Sequence, residues 1–200
     1  MASEPRLLLL DEPLAALDAT QSPAIRATLR RVLADRSAIV VTHDVLDAYS
    51  LADRVVVMEA GRVIETGTAP EVLERPRSAF VAALAGLQLI RGARSRSGLQ
   101  TDGALEIHAT PSAPLGFGTR VTAALRPSSV GIWTGEPPNN VANRIRAVVS
   151  SIEPRGDLVR VTSGLISADV LPVRVAALGV EPGALVWFTF SETAAVLYAD

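Results

Sequence analysis

Two short segments carry residue types suited to phosphate chemistry. In the first, four leucines (Leu7–Leu10) run into Asp11, Glu12 and Pro13. An apolar run of that length reads as a buried strand, and its carboxyl end is where ligands bind in open parallel sheets. There Asp11 has the hard oxygen donor that suits Mg²⁺, directly or through water, and Glu12 has the carboxylate that orients an attacking water or takes its proton. In the second segment, Ala38–Val41 reads as another buried strand, running through Thr42 into His43 and Asp44. A histidine delivered to the same edge can hydrogen-bond a terminal phosphate and the attacking water. Asp18 follows the first acids within Ala16–Asp18, where it is either a contact to a partner surface or simply a turn or helix cap. Taken singly, the acids also fit a strand ending in a charged turn, and His43 a helix cap or a satisfied buried residue.

The elements around these residues follow from pattern. Pro23–Ala34 reads as a helix with Ser22 as its N-cap and Ile25, Leu29, Val32 and Leu33 at helical spacing. Val45–Leu51 is a second helix. Val55–Glu59 and the residues through Glu65 form a hairpin turning at Ala60–Gly61, and Pro70–Glu74 and Ser78–Leu84 are short helices. Strands alternating with helices indicate an α/β layer with parallel strands. The chain changes character near residue 86. Beyond it, strands are expected near Gly103–His108, Arg120–Leu125, Gly131–Trp133, Ile145–Glu153, Leu158–Ser163, Ile166–Leu171, Leu185–Phe190 and Ala195–Tyr198, with one short helix at Pro172–Leu178. So many short strands indicate a small barrel or sandwich. Arg91–Arg96 reads as a short basic linker. Gly118–Val130 and Gly183–Val196 share a faint strand–turn–strand likeness, offset by about 65 residues.

Composition removes several function classes. The chain has 200 residues, 48% apolar and 20% charged, as in a folded protein. A formal net charge of −2 gives no general grip on nucleic acid or anionic lipid, so no nucleic-acid partner is expected. With no cysteine there is no disulfide, thiolate metal site or Cys nucleophile, and two histidines provide no metal-ligand spacing. All 19 basic residues are arginine, so neither a lysine Schiff base nor the GKS/T phosphate loop can be formed from this sequence. No apolar stretch approaches the ~20 residues of a membrane span, and no secretory signal pattern is present, so a cytoplasmic location is expected.

Residues 5–86 resemble the carboxyl-terminal half of an ABC transporter ATP-binding domain. Leu7–Pro13 is similar to the Walker B motif with its catalytic glutamate, Ala16–Asp18 to the D-loop, and Val41–Asp44 to the switch-histidine segment. Ala52–Gly67, Pro70–Leu73 and Pro76–Val81 resemble the strand pair and helices that follow. The resemblance implies that Asp11 serves Mg²⁺ with ATP, Glu12 polarises water, His43 reads the γ-phosphate and Asp18 contacts a second ATP-binding subunit. The family's Walker A loop, Q-loop and LSGGQ signature precede Walker B and have no counterpart here. There is no lysine and no Gly-Gly pair, as though the chain starts mid-domain. The expectation is a truncated subunit that, alone, neither binds ATP tightly nor hydrolyses it, and whose parallel strands have unpaired apolar edges.

The β-rich region resembles transport-associated OB domains through Leu125–Ile132, and a molybdate-binding Mop-type domain from Asn140 to Tyr198. The whole chain is most similar to the ATP-binding subunit of a molybdate importer. The implied fold is a partial P-loop NTPase-type parallel sheet with helices, followed by an all-β OB-like barrel. The implied domains are residues 1–86, a linker and first β unit at 87–140, and a Mop-type domain at 141–200. The resemblance further implies membrane permease subunits as partners, a periplasmic or extracellular binding protein engaged indirectly, and a peripheral position on the inner face of the membrane. Molybdate is implied as a regulatory ligand. Its family segments align with Asn140–Asn143 and with Ser191–Thr193, making Asn143, Ser191 and Thr193 candidate oxyanion ligands or else surface turns, with Arg144 and Arg174 as replacement cations. The family lysine is absent and Glu192 has the opposite charge. Two alternatives stand beside this reading: a non-enzymatic oxyanion-binding or regulatory β module with an ATPase remnant, and a sugar- or polyamine-type importer subunit.

Overall fold

The computed structural model describes residues 5–15 and 21–200. The Ala16–Asp18 segment, with the expected subunit contact at Asp18, lies outside the described residues. The chain divides into two compact units, Met1–Ala85 and Gly86–Asp200.

The first unit runs β1 (Leu7–Asp11), α1 (Ser22–Leu33), β2 (Ser37–Val41), α2 (Val45–Leu51), β3 (Val55–Glu59), β4 (Arg62–Gly67), α3 (Ala69–Glu74) and α4 (Ala79–Leu84). β1 and β2 are parallel, from Leu7 opposite Ser37 to Asp11 opposite Val41. A helical crossover is what brings two parallel strands side by side. The sequence pattern predicts buried strands, but only alternate residues of this pair are shielded. Leu9, Ile39 and Val41 are 71%, 55% and 54% exposed. The cause is local: this sheet has two strands among the described residues, so one face of the ladder stays open.

The first unit's core lies elsewhere. Val57, Ala69, Val72, Leu73 and Val81 are buried together, with Val45, Ala48, Val55 and Ile64 packed against them. The β3–β4 hairpin turns through Ala60 (φ 48°) and Gly61 (φ 75°), the doubly left-handed turn that suits strand twist. A reciprocal capping box starts α3, with Thr68 and Glu71 each satisfying the other's backbone N–H. The Glu65 carboxylate accepts from the backbone N–H groups of Arg77 (3.1 Å) and Ser78 (2.7 Å), fixing the entry to α4. At α1 the expected cap differs: Ser22 is already helical, and Gln21 precedes it with helical dihedrals and no side-chain cap.

The second unit is almost wholly β. Its strands are β5 (Gln88–Arg94), β6 (Gly98–Gln100), β7 (Glu106–His108), β8 (Thr110–Pro111), β9 (Arg120–Leu125), β10 (Gly131–Trp133), β11 (Asn143–Arg155), β12 (Leu158–Ser163), β13 (Ser167–Val170), β14 (Leu185–Phe190) and β15 (Ala195–Ala199), with α5 (Pro172–Leu178) before β14. They form a six-stranded sheet ordered β7-β6-β5-β9-β15-β8 and a five-stranded sheet ordered β10-β14-β11-β12-β13. One core joins both, including Ile90, Leu99, Ile107, Val121, Val161, Phe188 and Leu197. Residues 91–94, read from sequence as part of a basic linker, are in fact the latter half of β5, paired with both β6 and β9. The arginines mask a strand whose inward residues are Ile90 and Gly92. A side chain at Gly92 would lie 2.1 Å from the Gln100 carbonyl oxygen.

The faint repeat takes a definite form here. β9, a 3₁₀ turn at Pro127–Ser129 and β10 correspond to β14, a 3₁₀ turn at Glu192–Ala194 and β15. β9 pairs with β15 in one sheet and β10 with β14 in the other, so each repeat gives one strand to each sheet. The equivalence extends upstream: Gln88 opens the strand pairing with β9, opposite Leu125, and Asn143 opens the strand pairing with β14, opposite Phe190.

Candidate functional site

The carboxyl ends of β1 and β2 bring three of the sequence-derived residues to one edge. Asp11 is the last residue of β1, and its carboxylate is exposed, with no hydrogen bond or ion pair to any described residue. The backbone N–H of Glu12 donates to the Val41 carbonyl at 2.8 Å, extending the parallel ladder by one step. The chain then breaks away with Glu12 at φ 43°, a left-handed conformation that is uncommon for a residue with a side chain. That turn directs the Glu12 carboxylate to His43, with Oε1 2.7 Å from Nδ1. The His43 ring is 80% exposed, so its other nitrogen is open to solvent.

The electrostatics favour a charged imidazole. The hydrogen bond that Glu12 accepts, and then the Glu12 charge, raise the His43 pKa above its ordinary value; desolvation opposes them, and the charges of Asp44 and Asp47 add to the rise. With Nδ1–H held by the carboxylate, a neutral ring offers Nε2 as an acceptor, whereas a protonated ring offers it as a donor to an anionic oxygen. Glu12 and His43 therefore form a pair that can hold a water or a phosphate oxygen beside a free carboxylate, Asp11. No cluster of three or more His, Asp or Glu suited to holding a metal occurs among the described residues. Asp11 alone fits the way Mg²⁺ is usually bound with nucleotides, through one or two carboxylates completed by phosphate oxygens and water.

Sequence reasoning missed Asp47, a carboxylate only 2% exposed inside α2. It lies beside Thr42 and Arg26. Its signal, an acid followed by Ala48 within a helix, is too ordinary to single out.

The oxyanion candidates are arranged differently. Asn143 is buried, and both ends of its amide are engaged: Oδ1 accepts from the His108 backbone N–H at 2.8 Å and Nδ2 donates to the His108 carbonyl at 2.9 Å. Gln88, its structural equivalent, does the same to the backbone of Ser167, at 2.7 Å and 2.8 Å. Ser191 and Thr193 are exposed and bond to each other at 3.1 Å. Arg144 is held by Asn139 and Glu136 and stacks 5.4 Å from the Trp187 ring, while Arg174 stacks 5.4 Å from Trp133. These groups do not converge through hydrogen bonds on one centre.

No family model matches the chain. Among curated proteins, it is 36% identical over 200 residues to the molybdenum import ATP-binding protein ModC of Mycobacterium tuberculosis, covering 94% of this chain and 54% of that protein. It is 37% identical over 174 residues to the sulfate/thiosulfate import ATP-binding protein CysA of Burkholderia mallei, covering 86% and 48%. It is 35% identical over 159 residues to the spermidine/putrescine import ATP-binding protein PotA of Pseudomonas fluorescens, covering 74% and 43%. The chain thus spans about half the length of the curated relatives it matches. In fold, it resembles the cytoplasmic molybdate-binding protein ModG with molybdate bound, at a TM-score of 0.51 and 20% identity, over 56% of this chain and 96% of that one.

Proposed function

This chain is a relative of the ATP-binding subunits of ABC importers, and from that premise we propose that it supplies the water-handling and phosphate-sensing edge of such a subunit, in an importer for molybdate or a related oxyanion. The observation that supports this most directly is the 2.7 Å contact between Glu12 and His43 at the ends of two adjacent parallel strands. Glu12 would orient the attacking water, His43 would donate to the terminal phosphate oxygen, and Asp11 would be the residue that holds Mg²⁺. Mg²⁺ bound with ATP would neutralise charge developing on the transferred phosphoryl group. Asp18 would contact the second ATP-binding subunit. Permease subunits in the membrane are the immediate partners, and a periplasmic or extracellular binding protein is engaged through them. The chain would sit on the inner face of the membrane; no helix among the described residues is long and apolar enough to cross it. The molybdate assignment rests on the likeness to ModC and on the ModG-like fold.

Because the sequence contains no lysine for a GKS/T loop, the chain by itself does not turn over ATP. The test measures phosphate release by the purified chain, alone and mixed with a polypeptide carrying the GxxxxGKS/T loop and LSGGQ signature of a relative. The reading expects none alone, and a mixed activity that Glu12→Gln abolishes. Turnover by the chain alone, or a mixed activity indifferent to both Glu12→Gln and His43→Ala, would overturn it.

A second reading, a regulatory oxyanion-binding module, is supported by the likeness in fold to ModG. It expects molybdate or tungstate to release heat in calorimetry and to raise the melting temperature. The buried, engaged amide of Asn143 leaves that residue a structural part in such a site, and Ser191, Thr193, Arg144 and Arg174 are the remaining candidate donors.

A further inference from the structure

We infer that Arg26, on α1, is the positioning residue for the Glu12–His43 pair, setting the orientation of His43 through Asp47, Thr42 and Asp44. The inference rests on the reading of that pair proposed above. With a ring 80% exposed, His43 is not held by packing; its direction is set by the backbone on either side and by the bond to Glu12.

Both flanking residues are tied. The Thr42 hydroxyl donates to Asp47 Oδ2 at 3.2 Å and accepts from the Asp44 backbone N–H at 3.0 Å. The Asp44 carboxylate caps α2 by accepting from the Leu46 N–H at 2.7 Å. These bonds meet at one guanidinium. Arg26 Nε donates to Asp47 Oδ1 at 2.7 Å, and a terminal nitrogen reaches Asp44 Oδ2 at 3.3 Å. The Arg26 side chain is 13% exposed and that of Asp47 3%. A carboxylate so deeply buried persists only when paired, and the planar fork of arginine reaches two acceptors at once where lysine offers a point charge. The guanidinium therefore grips the turn on both sides of His43: residue 44 directly, and residue 42 through Asp47. All these bonds are to Asp44 and Asp47 and none to Glu12, His43 or Asp11, so Arg26 acts through other residues.

The test is a ¹⁵N NMR measurement of the His43 tautomer in the full chain, at a pH above its titration, with His43 and His108 told apart by a His108→Gln control. With Glu12 accepting from Nδ1, the Nδ1–H form exceeds its share in an unpaired histidine. Glu12→Ala is expected to remove that excess; if it does not, the pair itself is overturned and the inference with it. With the Glu12 effect present, Arg26→Met is expected to lose most of the excess and Arg26→Lys only part of it. Thr42→Val cuts the arm through Asp47 while leaving the Arg26–Asp47 ion pair in place, and is expected to lose part of the excess. Loss in Arg26→Lys, which keeps the charge and protects against failure of Arg26→Met to fold, supports the inference, and full retention of the excess in folded Arg26→Met or Arg26→Lys overturns it.

Discussion

Removing the Asn143 amide should cost the second unit a large part of its stability. Asn143 is 2% exposed and satisfies both the N–H and the carbonyl of His108, joining β11 to β7. Asn143→Ala leaves two backbone groups without partners in a site that water reaches poorly. At about 1–3 kcal/mol for each stranded buried group, less what water recovers at the partly exposed His108, the loss comes to about 2–4 kcal/mol. Gln88→Ala removes the equivalent bonds to Ser167, but Gln88 is only half-buried, so a smaller cost of about 1–2 kcal/mol is expected. Both tryptophans, Trp133 and Trp187, lie in the second unit, so tryptophan fluorescence during urea unfolding, excited where Tyr49 does not absorb, reports on that unit. For a urea dependence of about 2 kcal/mol per molar, the midpoint should fall by about 1–2 M in Asn143→Ala and by less in Gln88→Ala. A midpoint within about 0.25 M of wild type for Asn143→Ala, which is about 0.5 kcal/mol, would refute the claim that this amide is a clamp between strands. Unchanged stability together with lost molybdate binding would instead make Asn143 a ligand.

Three further outcomes follow from named contacts. Glu12→Gln should lower the His43 pKa toward its ordinary value, seen in an NMR titration of the ring protons, because the negative charge that favours the imidazolium is removed and the hydrogen bond that remains is to a neutral acceptor. In the wild type that raised pKa means the pairing stabilises the fold fully below the unfolded histidine value and is lost as pH rises through the native one. Gly92→Ala should destabilise the second unit by about 1–3 kcal/mol in the same fluorescence assay, since the added carbon lies 2.1 Å from a backbone oxygen that cannot swing aside. Thr68→Ala should cost about 1 kcal/mol and speed hydrogen exchange across α3, because it breaks the reciprocal cap with Glu71.

Much of the local structure was legible because it depends on near neighbours. The spans Val45–Leu51, Val55–Glu59, Arg120–Leu125, Leu158–Ser163, Pro172–Leu178 and Leu185–Phe190 follow from apolar period and from turn residues at their ends. β5 escaped because its arginines read as a linker, and a strand is recognised by what it pairs with as much as by composition. The openness of β1 and β2 escaped for a related reason: four leucines in a row imply burial, but burial needs a covering layer, and two strands alone leave a face uncovered.

The sequence by itself determined which chemical groups are available and in what order: two adjacent acids closing one apolar run, an imidazole closing the next, arginine as the only strong cation, and no lysine for a phosphate loop. Covalent order and side-chain type need no folding to be known. Only the tertiary structure decided which acid meets the imidazole. Neighbouring side chains on a strand point to opposite faces, and it is the left-handed turn at Glu12 that sends that carboxylate, and not Asp11, to His43. Likewise only the approach of β7 to β11 determined that the Asn143 amide is spent on His108. Those partners are separated by 31 and 35 residues of chain, so no local pattern records their meeting.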